Sequence, residues 1–357
     1  MQSWSRRTAV LALLVPLAIA SPVLAGTSLN EVGALLVYPI IIGSAVQETF
    51  VTVTNAGPAA VVAHVAYING DTTPISEGGA GYCYECDFDL PLSGSDTETL
   101  VITKTPSGIA IQSEDLNLSL SCPFPYGMIV LSLEDVDGNV LTENVLLGEE
   151  VVVDYATGTT YSIPAISFQG GNGGNSDREF AFDDQEYSKL PRVVAADFLA
   201  PDLGQGGVTA ELALFTLGFE RQFPPVVDCD VVGFDADENA FSSSIQFGCW
   251  DVVGLCEISP EFCYPNLGLY GNLDTHGWLL LNCRVDQDAD GSFDTDGGVH
   301  GAILQTAGTG ADIRRNTPGA GSMSSTDAWA RLLSQSVTTG DSVMLLLGGG
   351  ISTPGLD

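Results

Sequence analysis

Hydrophobic residues in this chain alternate with polar residues over short stretches, and few stretches show the 3.6-residue spacing of a helix. In residues 49–55, Val51 and Val53 fall on one face of an extended chain, whereas Thr52 and Thr54 fall on the other. A period of two is typical of a β-strand that buries one of its faces. The pattern therefore predicts a protein built mainly of antiparallel strands.

Such strands recur in both halves of the chain, separated by glycine, proline and aspartate turns. The first half has candidates at 49–55, 60–68, 87–92, 97–103, 128–135, 140–147, 150–155 and 161–169. The second half has candidates at 192–199, 208–217, 226–234, 277–285, 299–307 and 342–347. A helix is predicted only at 325–334, where Trp329, Leu332 and Leu333 could form an apolar stripe. Many short strands with these turn signals are typical of a β-sandwich.

A glycine-, asparagine- and aspartate-rich stretch, residues 170–190, interrupts the alternating pattern. This composition is typical of a flexible linker or a long loop. We therefore predict an all-β protein with two antiparallel β-sandwich domains, Ig-like or jelly-roll-like, joined by this linker. The N-terminal domain would comprise residues 26–169, and the C-terminal domain residues 191–357.

Residues 1–25 have the features of a secretory signal peptide, because a short basic start precedes an apolar run and a small-residue cleavage site. We expect the protein in the periplasm, at the cell surface or in the medium, with no transmembrane segment in the mature chain. Cleavage would remove two arginines and no acid, which changes the formal net charge from −34 to −36. This charge excludes nucleic acid as a partner and suits a salty or calcium-containing medium.

The eight cysteines are predicted to form disulfide bonds, as expected in an oxidising compartment. They are Cys83, Cys86, Cys122, Cys229, Cys249, Cys256, Cys263 and Cys283. We expect Cys122 to be bridged to Cys83 or Cys86, and the five cysteines of the second half to form two internal bridges. One cysteine would remain in each half, either free or joined across the linker. The alternative is a zinc site formed by Cys83, Cys86, Cys122 and His64.

One acidic stretch, DQDADGSFD at residues 286–294, has the spacing of a calcium-binding loop. Its candidate ligands are Asp286, Asp288, Asp290, Ser292 and Asp294 at loop positions 1, 3, 5, 7 and 9, with Asp296 as a further carboxylate. Oxygen ligands two residues apart can point inward together, and Gly291 at position 6 permits the sharp bend. The stretch resembles the calcium loops of thrombospondin type 3 repeats and dockerin modules.

This loop departs from an EF-hand because position 12 is Gly297 instead of a bidentate glutamate and because both flanks are strand-like. We therefore expect weak calcium binding at the tip of a hairpin formed by 277–285 and 299–307. The alternative is a solvated acidic turn in a very acidic protein.

A second possible metal site consists of Asp235, Asp237 and Asn239, which alternate in the same way but lack the glycine. A simple turn is the alternative there. Tyr264, Tyr270 and Trp278 could form a platform that stacks on sugar rings, although core packing is the favoured explanation for them.

No common catalytic motif is found, and the only histidines are His64, His276 and His300. The leading hypothesis is therefore a secreted, disulfide-bonded, calcium-stabilised structural or interaction protein that binds a protein or glycan. A carbohydrate-binding module is the first alternative, and a secreted hydrolase with an acidic dyad is the second. In layout, with 87–92 early and 239–250 late, the chain resembles uncharacterised secreted bacterial proteins.

Overall fold

The structure is a computed structural model that describes most of the chain after residue 30. The described residues are 31–70, 83–113, 115–135, 137–156, 158–171, 180–201, 208–218, 225–235, 238–263, 266–267, 276–288, 290–294, 297–307, 327–339 and 342–345. The predicted signal peptide lies outside them.

The first half of the chain contributes two antiparallel sheets. Its strands are β1 (Leu35–Ile42), β2 (Gln47–Asn55), β3 (Val61–Asn69), β4 (Glu85–Leu92), β5 (Asp96–Thr105), β6 (Gly108–Ser113), β7 (Leu118–Cys122), β8 (Tyr126–Glu134), β9 (Val140–Leu141), β10 (Leu146–Asp154), β11 (Thr159–Pro164) and β12 (Ile166–Phe168). Sheet I has the order β12-β1-β8-β3-β4, with β9 paired to β8, and sheet II has the order β11-β10-β2-β5-β6-β7.

The second half contributes two more antiparallel sheets and two short helices. Its elements are β13 (Val193–Leu199), β14 (Val208–Phe215), β15 (Val226–Asp235), β16 (Ala240–Phe247), β17 (Trp250–Gly254), α1 (Leu255–Ile258), a 3-10 helix (Pro260–Phe262), β18 (His276–Asp286), β19 (His300–Ala307), β20 (Asp327–Leu332), β21 (Ser334–Thr339) and β22 (Ser342–Leu345). Sheet III has the order β16-β15-β18-β13-β21-β22, and sheet IV has the order β17-β14-β19-β20.

Each half forms a sandwich whose core consists of the inward positions of alternating strands. Leu36 and Tyr38 of sheet I pack with Val51 and Val53 of sheet II, all of them fully buried. Leu212 and Leu214 of sheet IV pack in the same way against Leu279, Leu281 and other residues of sheet III. The predicted all-β sandwich architecture is confirmed.

The two sandwiches also pack on each other: sheet I faces sheet IV, and Ile163 at the edge of sheet II joins the contact with sheet IV. The buried residues between them include Leu35, Val37, Met128 and Val130 from sheet I, and Phe215 and Trp250 from sheet IV. The indole Nε1 of Trp250 donates a hydrogen bond of 2.6 Å to the carbonyl oxygen of Pro39. Strand β1 is thus covered on both faces, which explains its uninterrupted apolar sequence LLVYPIII.

The connection between the halves is a long loop whose described C-terminal part, residues 180–190, is packed. Phe182, Tyr187 and Leu190 are buried in the same cluster between sheets I and IV. The ring of Phe182 stacks on that of Tyr187 with 5.7 Å between centroids. Burial of three apolar side chains anchors this part of the connection to both sandwiches.

Several predicted elements are wrong in type or pairing. The predicted helix at 325–334 contains β20 instead, where six residues pair with β19 and extend sheet IV. The turn at Gly138, with φ of +77°, closes a hairpin, but only two residues of β9 pair with β8 before the chain crosses to sheet II. The strands around the acidic loop do not form a hairpin, because β18 lies in sheet III and β19 in sheet IV.

Candidate metal centre

The acidic loop after β18 crosses from sheet III to sheet IV at one end of the second sandwich, because β18 and β19 are both interior strands. Because the flanking strands belong to different sheets, the loop is held by contacts with other segments instead of by cross-strand pairing. Gln287 donates from Nε2 to the carbonyl oxygen of Leu217 over 3.1 Å. A guanidinium nitrogen of Arg192 donates to the carbonyl oxygen of Asp294. The loop therefore joins the two sheets to neighbouring loops.

Three of the six predicted ligands converge. Asp286, Asp288 and Asp294 each offer a carboxylate oxygen, and these oxygens lie within 4.8 Å of one another. Asp286 is only 5 % exposed, whereas Asp294 is half-buried and Asp288 exposed. Such a group has one anchored, buried ligand and an open side toward solvent.

Backbone hydrogen bonds orient two of these carboxylates. Asp286 accepts from the backbone N–H groups of Asp290 and Gly291, at 3.1 and 2.8 Å. Asp294 accepts from the N–H of Gln287 at 2.7 Å. Gly291 has φ of +91°, the left-handed region that favours glycine. The sharp bend expected at loop position 6 is therefore present.

Among the other predicted ligands, the described Asp290 is not part of this group. The carboxylate of Asp290 accepts from the backbone N–H of Ser292 at 2.7 Å, which closes a turn within the loop. The side chain of Ser292 is exposed, and only its backbone carbonyl was expected to contribute. Asp296 lies outside the described residues.

The missing glutamate at loop position 12 has a packing explanation. A Cβ atom on Gly297 would lie 2.7 Å from the Cβ of Val285, whose side chain is fully buried in the core of the second sandwich. No larger residue fits there unless β18 moves. The loop cannot supply the bidentate position-12 ligand of an EF-hand, and the carboxylates that converge in its described part are those at positions 1, 3 and 9.

The second possible metal site has the hydrogen bonds of a hairpin turn. The Asp235 carboxylate accepts from the backbone N–H and the side-chain amide of Asn239, both at 2.8 Å. Asp135 and Asn139 make the same pair of contacts at the turn after β8. Asp237 lies outside the described residues. The turn accounts for Asp235 and Asn239 without a metal.

Of the three residues of the proposed sugar platform, only Trp278 lies among the described residues. By strand alternation, Trp278 points away from the core that Leu279 and Leu281 enter, and it is half-buried on the outer face of sheet III. Its ring stacks on Phe234 of β15, with 4.0 Å between centroids and an interplanar angle of 8°. Tyr264 and Tyr270 lie outside the described residues.

All eight cysteines are in disulfide bonds, which overturns the zinc alternative. The pairs are Cys83–Cys249, Cys86–Cys122, Cys229–Cys283 and Cys256–Cys263. Cys86–Cys122 and the two bridges within the second half agree with the expected pattern. The remaining pair joins the two sandwiches, and Cys83 and Cys86 belong to different bridges.

The three histidines lie apart. His300 is buried beside Phe215, and burial lowers its pKa to about 4. His64 on β3 lies between Asp87 and Asp89 of β4, with 3.2 Å from its Nδ1 to Asp89. His276 is exposed at the start of β18.

Sequence reasoning did not single out the carboxylates with raised pKa values. Burial raises the pKa of Glu211 on β14, and the nearby Glu257 adds to the shift. The pKa of Asp251 on β17 is raised for the same two reasons. Both carboxylates lie near Glu257, and the acidic-dyad hydrolase stays a prediction from the sequence.

Comparison of the chain with protein-family models, with curated proteins and with solved structures gave no match. The helices among the described residues are too short and too weakly apolar to span a bilayer. Four disulfide bonds fit an extracytoplasmic protein, because such bonds form and persist in oxidising compartments.

Proposed function

We propose that this chain is a secreted structural or interaction protein whose second sandwich is stabilised by calcium bound in the loop after β18. The observation that supports it is the convergence of Asp286, Asp288 and Asp294 on one point, with the first of them buried. Hard carboxylate oxygens are the ligands that calcium prefers, and a loop with few charged ligands and no glutamate at position 12 favours weak binding.

The position of the loop indicates what calcium would do. The loop crosses between sheets III and IV, and it contacts Arg192 and Leu217 outside those strands. A cation would neutralise three mutually repelling carboxylates at the crossing. Binding to the folded state alone would then raise the free energy of unfolding.

Thermal unfolding with calcium, magnesium or chelator at equal ionic strength tests this proposal. At a calcium concentration ~100 times the dissociation constant, linkage adds about 2.7 kcal/mol. We expect a rise in melting temperature of about 4 °C if the packed sandwiches unfold as one unit. Magnesium should stabilise the protein less, because it requires tighter octahedral geometry and retains its waters.

A matched pair of variants separates binding from screening. Asp286→Asn with Asp288→Asn should abolish the calcium response, whereas Asp115→Asn with Asp230→Asn removes the same charge at exposed sites elsewhere and should retain it. Equal stabilisation by both cations, together with an undiminished response of the first variant, would contradict the calcium site.

Carbohydrate binding is the second candidate function, and the stacked pair of Trp278 and Phe234 on the outer face of sheet III favours it. Asp197 and Asn282 are exposed on the same face and could bond to hydroxyl groups beside the rings. Binding to a glycan array that Trp278→Ala removes would support this function. An array without any bound glycan would eliminate it for the sugars tested.

A further inference from the structure

A groove of 1920 Å³ runs along the outer face of sheet I, beside the contact with sheet IV. Its floor is formed by outward positions of β3 and β8, and β4 forms one side. Phe180, Phe182 and Leu217 line it on the other side. Leu35 and Val130, which belong to the buried cluster between the sandwiches, also line the groove. The groove thus begins where sheet IV stops covering sheet I.

The floor of the groove combines apolar and polar side chains. The outward positions of β3 within the groove are Val62, His64 and Ala66, and Val62 is 41 % exposed. The β8 positions of the floor add Ser132 and Glu134, so the exposed apolar side chain of Val62 lies among polar and acidic groups, and an occupant needs both apolar and cationic side chains to match it.

The groove is also more acidic than the rest of this acidic chain. Seven of its 27 lining residues are aspartate or glutamate, compared with 45 of 357 in the whole chain. Six of the seven come from β4 and from the end of β8 and its turn: Glu85, Asp87, Asp89, Glu134, Asp135 and Asp137. The described lining residues include no lysine or arginine.

From these features we propose that the groove binds an extended peptide segment of a partner protein in which lysine or arginine alternates with apolar residues. Apolar side chains would cover the floor around Val62 and Ala66, and cationic side chains would reach the carboxylates of Asp87 and Asp89. The charge of the groove specifies a cationic occupant, and the net charge of −34 opposes occupation by a second copy of this chain. The proposal rests on the interaction function proposed above but does not depend on the calcium loop.

Binding of short synthetic peptides to the full-length protein, measured by isothermal titration calorimetry at low and high ionic strength, tests the proposal. The probe alternates lysine and valine, and two control peptides replace either all lysines with glutamate or all valines with glycine. We expect the lysine–valine peptide to bind, more weakly at high salt, and the glutamate–valine peptide not to bind. The lysine–glycine peptide should bind several-fold more weakly than the probe, because it cannot cover the floor.

Two variants and a charge-matched control locate the site. Asp87→Asn with Asp89→Asn, both exposed, should weaken binding of the probe about tenfold. Glu149→Gln with Asp230→Asn removes the same charge from exposed positions outside the groove and should change affinity less than twofold. Val62→Ser should weaken binding of the lysine–valine peptide but not of the lysine–glycine peptide.

If Asp87→Asn with Asp89→Asn and its charge-matched control lose affinity for the probe equally, binding depends on the overall charge of the protein, and the proposal is overturned. Absence of binding by the lysine–valine peptide would overturn it as well, as would a dimer in solution that the peptide does not disturb. Each titration is repeated with calcium and with chelator. Calcium-dependent stabilisation without peptide binding would contradict the groove alone and leave the proposed calcium site intact.

Discussion

At the scale of single residues, Glu150 is the least expected side chain in the core. It lies at an inward position of β10 and is fully buried, and no described side chain donates a hydrogen bond to its carboxyl oxygens. Burial raises its pKa well above the usual range, and the backbone of Ile40 offsets this shift only in part. The same period of two that places Leu146 and Val152 inward also places Glu150 inward, so the sequence contained the signal.

We predict that Glu150 makes stability fall as pH rises. Because its folded-state pKa lies above its unfolded value, its contribution is fully present below the unfolded pKa and is lost as pH rises through the folded pKa. Between the unfolded-state and folded-state pKa values of Glu150, the free energy of unfolding falls by about 1.4 kcal/mol per pH unit. In urea unfolding from pH 4.5 to 8, the free energy of unfolding of Glu150→Gln should rise relative to that of wild type as pH increases. For Glu149→Gln, which changes the exposed neighbour, the curve of unfolding free energy against pH should run parallel to that of wild type. A parallel curve for Glu150→Gln would contradict the prediction.

At the scale of elements, two hairpins use the same turn. Asp135–Asn139 and Asp235–Asn239 share a pair of backbone bonds, and the aspartate carboxylate binds the asparagine in both. Hydrogen bonds from Asn139 lower the pKa of Asp135 below its usual range. The fourth residue of each turn has positive φ, +77° at Gly138 and +64° at Glu238. One turn therefore has glycine where the backbone favours it, and the other does not.

We predict that Glu238→Gly stabilises the protein by about 0.5 to 1 kcal/mol, because glycine adopts this conformation without the cost that a side chain incurs. The gain is reduced by the greater freedom of glycine in the unfolded chain. The reverse change, Gly138→Glu, should destabilise the equivalent turn. Urea unfolding measures the change in stability for both variants. A loss of stability in Glu238→Gly would show that contacts of the Glu238 side chain outweigh the backbone cost of its positive φ.

The limits of sequence-based prediction are clearest in β20 and in the acidic loop. Residues 327–332 were predicted to be helical, yet pairing with β19 places them in sheet IV. Strand pairing over a long sequence separation is a tertiary property that local periodicity does not report. For the same reason, the two strands around the acidic loop were predicted to pair, although they lie in different sheets.

At the scale of the whole molecule, the two sandwiches share a buried interface and one covalent link. Cys83 and Cys249 are 166 residues apart in sequence, and their bond joins the start of β4 to the start of β17. Beside it, Trp250 is buried between sheets I and IV. The bond constrains the unfolded chain most strongly because it closes the longest loop of the four.

We predict that Cys83→Ser with Cys249→Ser lowers the free energy of unfolding by about 3 to 5 kcal/mol. Replacing the Cys256–Cys263 pair, which closes a loop over a separation of seven residues, should cost about 2.5 kcal/mol. Guanidinium unfolding of oxidised proteins gives both values. A larger loss from the short loop than from the long one would contradict the loop-entropy account.

The sequence by itself determined the all-β class, the number of disulfide bonds within each half and the spacing of Asp286, Asp288 and Asp294, because alternation, cysteine distribution and loop spacing are local properties. Only the tertiary structure decided which strands share a sheet, that β1 is covered on both faces, and that the acidic loop crosses between sheets. It also decided that Val285 leaves no room for a side chain at position 297, and that the exposed Val62 of sheet I lies in a groove with seven carboxylates. These features depend on contacts between residues far apart in sequence, and a single strand's pattern is the same whichever neighbour covers it.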